Sequence, residues 1–178
     1  MPKKDVQYLT YASEILAALQ KPGLLLVTQG KRGQPNIMTI GWASLGVLWS
    51  RPCFVTLVRP VRYSYRLLEE NREFTINVLP RKLAKVAQFC GSVSGRDHDK
   101  FAEQGLTAVP SRMIKVPIIG ECVIHYECKV VHYNDTRRIT MPADLAHMAY
   151  PSGDKHRLYY GEIVAAYADR DAKAKLKA

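Results

Sequence analysis

Residues 36–48 read Asn-Ile-Met-Thr-Ile-Gly-Trp-Ala-Ser-Leu-Gly-Val-Leu. The run is apolar with a few hydroxyls and has glycine at positions 41 and 46, so it predicts one strand with a kink or a bent strand pair. Upstream, Gln29 to Pro35 is a turn by its glycine and polar content, and Leu24 to Thr28 is a short buried strand. Residues 11–20 have helical spacing, with Ile15, Leu16 and Leu19 on one side, Thr10 or Ser13 as candidate cap and Pro22-Gly23 as the stop. Downstream, Arg51-Pro52 predicts a break before a third strand, Cys53 to Val58. A loop from Arg59 to Tyr65 leads into a helix over about 64–71, with Ser64 as candidate cap.

Phe74 to Leu79 alternates as a fourth strand, and Pro80 opens a helix through about Phe89. Gly91 to Gly95 reads as a loop, and Asp97 to Gln104 as a short helix capped by Asp97 or Asp99 and ended by Gly105. After a proline-spaced connector, 110–117, a long strand runs from Glu121 to Tyr133, with a turn at Asn134-Asp135. Residues 136–156 read as irregular, Leu158 to Tyr167 as the last strand, and the charged tail from Asp169 as a frayed helix or disordered. Strands do not alternate regularly with long helices, which disfavours a doubly wound parallel sheet. The pattern predicts a mainly β fold, an antiparallel barrel with peripheral helices, in one domain over 1–178 with its core at about 23–167.

Of 178 residues, 47% are hydrophobic and 24% charged, an ordinary globular composition with enough apolar side chains for a core. No apolar stretch approaches membrane-spanning length, and no apolar run follows the basic start, so a soluble cytoplasmic protein is expected. The net charge of +10 suits nucleic acid, an anionic surface or phosphorylated cofactors. The basic residues are scattered apart from Lys173, Lys175 and Lys177, and no nucleic-acid-binding motif accompanies them, which disfavours that partner. Cys53, Cys90, Cys122 and Cys128 form no CxxC pair. Cys122 and Cys128 sit on one predicted strand about 20 Å apart, too far for a disulfide. Buried thiols in a reducing compartment are the expectation for all four.

The familiar catalytic frames are absent. Gly91–Gly95 has Val93 where a nucleophile elbow needs serine. Gly30-Lys31 lacks the P-loop frame, and no GxGxxG follows a strand. His98, His125, His132, His147 and His156 are dispersed without metal-ligand spacing. Two constellations remain. Asn36, Thr39 and Ser44 offer hydrogen bonds beside the planar ring of Trp42. Arg59, Arg62 and Ser64 gather at a predicted helix N-terminus, where free N–H groups and the dipole attract anions.

These two constellations, with Arg51-Pro52, the Glu73–Val78 strand, Ser94-Gly-Arg-Asp-His-Asp-Lys-Phe101, Glu127–Val130 and Tyr160–Val164, occur in an order that resembles the flavin reductase-like, FMN-binding split-barrel family, which includes flavoredoxins. The resemblance covers about residues 23–167 and implies a six-stranded antiparallel split β-barrel forming a homodimer, with FMN (or FAD) near the subunit interface. It implies that Asn36, Ile37, Met38 and Thr39 line the isoalloxazine, with Trp42 and Ser44 near the ring. Thr56 to Arg59, with Arg62, Tyr63 and Ser64, would hold the ribityl phosphate. Ser92, Ser94 and Lys100 would reach the flavin from the other side, with Lys100 toward its pyrimidine end, and His132 and Tyr159 would approach the ring system. The implied activity is hydride transfer from NAD(P)H to flavin N5, with a redox partner protein or monooxygenase as acceptor and no protein residue assigned a catalytic proton. Arg62-Tyr63-Ser64 departs from the family's commoner Thr- or Ser-rich phosphate loop, and residues 136–156, a candidate lid, have no match. A flavoredoxin-type electron carrier without NAD(P)H activity, a nucleic-acid or anionic-surface binder and a barrel that has lost its cofactor are the rival readings.

Overall fold

A computed structural model describes residues 3–31, 33–136 and 141–177. The strands β1 (Lys4–Asp5), β2 (Leu24–Gln29), β3 (Pro35–Ile40), β4 (Ala43–Leu48), β5 (Arg51–Val58) and β6 (Glu73–Val78) are followed by the two-residue strands β7 (Ala108–Val109) and β8 (Ile118–Ile119). The long strands β9 (Ile124–Asp135) and β10 (Arg157–Ala168) complete the set. The helices are α1 (Ala12–Gln20), α2 (Tyr63–Asn71), α3 (Ala84–Ser92), α4 (Lys100–Glu103), α5 (Ala143–Ala149) and α6 (Ala172–Lys177). None among the described residues is long and apolar enough to cross a membrane.

The main sheet is antiparallel in every pairing and has the order β3-β2-β6-β9-β10-β5-β4, with β1 added to β10. Its two edges, β3 and β4, are consecutive in the chain and are joined by Gly41-Trp42 alone. Ile40 and Ala43 therefore lie within about 11 Å of each other. The sheet must curl until its edges meet, yet no ladder joins them, and the result is a split barrel. Six strands were expected; among the described residues the sheet path has seven, with the short β1 added.

β2 shows why a continuous apolar run belongs here. Leu24 and Leu26 enter one buried cluster with Phe54, Phe74, Ile76 and Tyr126. Leu25 and Val27 enter a second cluster with Val86, Ala87, Cys90 and Phe101. The strand is covered on both faces, by the barrel interior and by the α3–α4 layer, so period-2 polarity disappears. Inside the barrel, Gly161 is required by close approach, because a Cβ there would sit 2.4 Å from the Phe74 ring.

Several boundaries differ from the sequence expectations, each for a local reason. The expected break at Arg51-Pro52 is instead the start of β5; the turn is Trp49-Ser50, both at positive φ (50° and 60°) in a two-residue hairpin. Gly91 and Ser92 belong to α3 rather than to a loop, and Pro80 precedes a 3-10 turn at Arg81–Leu83 before that helix. The 97–104 helix shrinks to α4, capped by Asp99, whose carboxylate accepts from the Ala102 N–H at 3.1 Å. β9 runs through the predicted Asn134-Asp135 turn because Arg157 on β10 pins Asp135 with donors at 2.7 and 3.0 Å. Cys122 precedes β9 instead of sharing a strand with Cys128, and all four cysteines are buried free thiols. Within 136–156, α5 forms after Pro142, a proline that reads as a breaker but here stands at the helix start. The tail is tied down: Ala172 is buried, and Asp169 pairs with Lys3 (2.9 Å) and Lys175 (2.8 Å).

Candidate cofactor cleft at the open edge of the barrel

The unpaired edge of β3 faces a gap between the start of α2 and the α3–α4 connection. β3 turns Ile37 into the α3 layer, and the Thr39 hydroxyl donates to the Ala87 carbonyl of α3 at 2.5 Å. The Asn36 amide Nδ2 donates to Ser64 Oγ at 2.8 Å, with both residues buried. Ser64 was expected to cap α2; its hydroxyl instead fixes Asn36, and α2 has no side-chain cap at all. Gly95 closes over the same carboxamide, and a Cβ there would lie 1.8 Å from Asn36 Oδ1. Asn36, Ser64 and Gly95 thus lock one another across three segments.

The resulting cleft holds about 120 Å³ and is lined by Asn36, Met38, Thr39 and Cys90, with Arg62–Ser64 on one side and Ser94–Arg96 and Lys100 on the other. Lys100 is 4% exposed, and its ammonium donates to the Ile37 carbonyl (2.8 Å) and the Cys90 carbonyl (2.7 Å). A cation on a carbonyl of the last turn of α3 is favourable both as a cap and against the helix dipole. Burial lowers the Lys100 pKa, with nearby Arg62 adding to the effect, and burial pushes the Cys90 thiol up to about 11. Lysine has three N–H donors, so one remains beyond the two carbonyls.

A second hollow of about 320 Å³ adjoins the first and shares Met38, Thr39 and Arg62 with it. Its walls include Trp42, Leu57, Arg59 and His156. Trp42 packs at a tilt against His156 (centroids 5.2 Å apart) and edge-on to Tyr150 (6.3 Å). Arg59 faces the 141–156 segment: its Nη2 donates to the Ala149 carbonyl at 3.2 Å, its Nε to His156 Nε2 at 3.4 Å, and Asp154 lies 4.0 Å away. Because Nε2 accepts from a guanidinium, the neutral ring carries its proton on Nδ1, 3.1 Å from the Tyr150 hydroxyl. Burial and the neighbouring Arg59 lower the His156 pKa to about 4, so the ring is neutral near pH 7.

The joined hollows form a trough along β3 with no carboxylate among their lining residues. Arg62 stands where they meet, exposed, its guanidinium without a hydrogen-bond or ion-pair partner among the described residues, at the uncapped start of α2. Arg96 donates to the Val61 carbonyl at 3.1 Å and lies over the Tyr63 ring. Such a trough suits a ligand with an anionic end and a planar ring.

Of the residues singled out from sequence, Asn36, Met38, Thr39, Trp42, Arg59, Arg62, Tyr63, Ser64, Ser94 and Lys100 line the trough. Ile37 is buried in the α3 layer and lines neither hollow, and its carbonyl accepts from Lys100. Ser44 is exposed on β4, and the Ser92 hydroxyl donates to Phe89 of its own helix. Thr56 is buried with its hydroxyl unpartnered, and Tyr159 is fully buried with its hydroxyl on Glu69 at 2.9 Å. His132 is exposed and packs with Trp49 and Tyr160. These five line neither hollow of their own chain. Leu57, inside the Thr56–Arg59 stretch, also lines the trough, whereas Gly95, Arg96, Tyr150 and His156 were missed. Gly95 and Arg96 lie inside the quoted Ser94–Phe101 segment, whereas Tyr150 and His156 arrive through a long excursion between β9 and β10 that no local pattern marks.

A family model described as the flavin reductase like domain matches residues 18–176. The chain belongs to the flavin reductase-like family. An uncharacterized protein of Archaeoglobus fulgidus is 31% identical over 131 residues, 74% of this chain and 64% of the relative, so the chain spans less than two thirds of that protein's length. Among solved structures, flavoredoxin of Desulfovibrio vulgaris (Miyazaki F) matches with a TM-score of 0.68 and 28% identity, covering 83% of this chain and 69% of that one. Component B of nitrilotriacetate monooxygenase from Bacillus cereus has a TM-score of 0.69 at 16% identity over 86% of this chain and 76% of that chain, and it shares the fold. The split barrel deduced from the strand order is therefore the architecture of this flavin reductase-like family.

Proposed function

We propose that this chain binds FMN along the β3 trough and works as a cytoplasmic NAD(P)H:flavin oxidoreductase. The observation that carries the reading is the trough itself, where an unpaired Arg62 at an uncapped helix start meets a Trp42-walled hollow with no carboxylate in its lining. The donor set fits the cofactor: cations and free N–H groups for a phosphate, the fixed Asn36 amide for ring heteroatoms, and an indole beside a planar system. The Asn36–Gly95 cradle supports the same reading, since a side chain at position 95 would fill it.

Bound flavin supplies the acceptor for a hydride from the nicotinamide and returns electrons to a later acceptor. The protein's part is binding and orientation. Arg62 and the start of α2 hold the anionic end. Lys100 ties β3 to the end of α3, so the cleft walls keep their spacing, and adds positive charge beneath the site. Trp42, Tyr150 and His156 shield one end from water. Four free buried thiols agree with a reducing compartment. A homodimer is part of the proposal and is supported by exposed Val47 and Trp49 on the β4–β5 hairpin.

A flavoredoxin-type carrier without its own NAD(P)H activity is the second reading, favoured by the 28% identity to flavoredoxin against 16% to the monooxygenase component. Anaerobic mixing of the FMN-loaded protein with NADH, then NADPH, separates the two. Bleaching of the flavin absorbance by either nucleotide supports the oxidoreductase. Bleaching by dithionite alone supports the carrier.

A further inference from the structure

Beside the cofactor cleft lies a groove that the flavin reading does not use. A hollow of about 490 Å³, lined by Lys21, Pro22, Thr39, Ala84, Lys85 and Gly91 among others, shares Thr39 and Gly91 with the cleft. Through Lys21, Pro22 and Ala84 it runs on into a hollow of about 530 Å³ between α1, the Arg81–Leu83 turn and α6. The floor there is apolar, with Ala17, Ala18, Leu79 and Leu176, and Lys21 and Arg81 stand on the rim.

Of the cations that line the groove, Lys21, Arg81 and Lys85 are all exposed, and none makes an ion pair among the described residues. The one carboxylate in the lining, Glu14, is already held by Lys173 at 3.2 Å and by the Ser13 hydroxyl at 2.8 Å. Unpaired surface cations of one sign add little to stability. Gathered around an apolar floor they create a field that attracts and orients an oppositely charged partner. Because the track crosses two joined hollows and ends at the Thr39–Gly91 wall it shares with the cleft, it fits the surface of a protein better than a compact ligand.

We propose that this groove docks an acidic electron-transfer protein, one whose carboxylates surround apolar side chains and whose seating brings it against the cofactor cleft. The inference rests on the flavin reading for its purpose, and its test is independent of it. The experiment is an amide-shift titration of the isotopically labelled, FMN-loaded protein with an acidic plant-type ferredoxin, and with basic cytochrome c as control. Ferredoxin should move the signals of Lys21, Lys85 and Gly91, and its affinity should fall roughly tenfold or more between about 0.05 and 0.5 M salt as the field is screened. The double variant Lys21→Glu/Lys85→Glu should weaken binding about tenfold further at low salt while retaining its flavin absorbance. Shifts confined to another face, equal binding of cytochrome c, or an unaffected double variant would overturn the proposal. So would binding of oleate in the groove with no ferredoxin response. Loss of flavin from the unmodified protein would instead count against the cofactor reading, and the ferredoxin shifts can still be read on the flavin-free chain.

Discussion

Gly95→Ala is the smallest change that strikes the centre of the cleft. Its added Cβ would lie 1.8 Å from Asn36 Oδ1, 2.6 Å from Asn36 Cγ and 3.1 Å from Tyr63 Cδ1. The carboxamide must swing away, and it then loses its 2.8 Å bond to Ser64 Oγ. Asn36 is 5% and Ser64 1% exposed, so water cannot replace the lost bond freely. An unsatisfied buried polar group costs about 1–3 kcal/mol, and overpacking about 1–3 kcal/mol, so the expected loss is about 2–6 kcal/mol. FMN affinity should fall at least about tenfold, the equivalent of about 1.4 kcal/mol. Urea unfolding of the flavin-free protein and fluorescence titration with FMN measure the two effects separately. Gly105→Ala is the control: its φ is +59° with open space around it, so it should cost about 1 kcal/mol and leave flavin binding alone. Asn36→Ala combined with Gly95→Ala should be less destabilising than the sum, because the struck atom is gone. A Gly95→Ala protein within about 0.5 kcal/mol of the parent and with unchanged FMN affinity would refute the interlock.

Lys100→Met strands the Ile37 and Cys90 carbonyls and should cost about 2–4 kcal/mol in urea unfolding, together with weaker FMN binding. Arg62→Ala, which removes no side-chain hydrogen bond or ion pair among those described, should leave stability within about 0.5 kcal/mol while reducing FMN affinity by about tenfold to a hundredfold in the same titration. The pH dependence follows from His156, held near a pKa of about 4 against 6.5 in the unfolded chain, and from His125, which burial lowers to about 3. Between those values the unfolded chain binds more protons, so stability is full above about pH 6.5 and declines as the pH falls toward 4, by at most about 1.4 kcal/mol per unit for each histidine. The half-buried His156 should contribute less than that limit, and His156→Gln should flatten part of the slope in urea midpoints measured at pH 7.5 and 5.

Much of this architecture is written in local pattern. The buried run of β2, the Gly41-Trp42 joint and the alternation of β6 mark strands because each must satisfy a layer on one or both faces. What stayed hidden depends on partners distant in sequence. The β4–β5 turn uses two non-glycine residues at positive φ, which composition does not announce. β9 continues past Asn134 because Arg157 holds Asp135 across the ladder. In the site, the Asn36–Thr39 strand and the Arg62–Ser64 turn were legible as donors and cations at an element end. Ser64 looked like a cap by its residue type just ahead of the apolar run, but the cap position falls on Arg62, and the capture of Ser64 by Asn36 from β3 is a tertiary event. Arg59 read as a phosphate ligand, while three of its neighbours, Ala149, Asp154 and His156, come from a segment that composition marked as irregular.

The most direct measurement is the visible absorption spectrum of the purified protein after incubation with FMN and desalting. Oxidised flavin bands that survive desalting, at one flavin per chain and shifted from free FMN, are the expected result. A colourless protein that retains no flavin would contradict FMN as a held cofactor in the β3 trough.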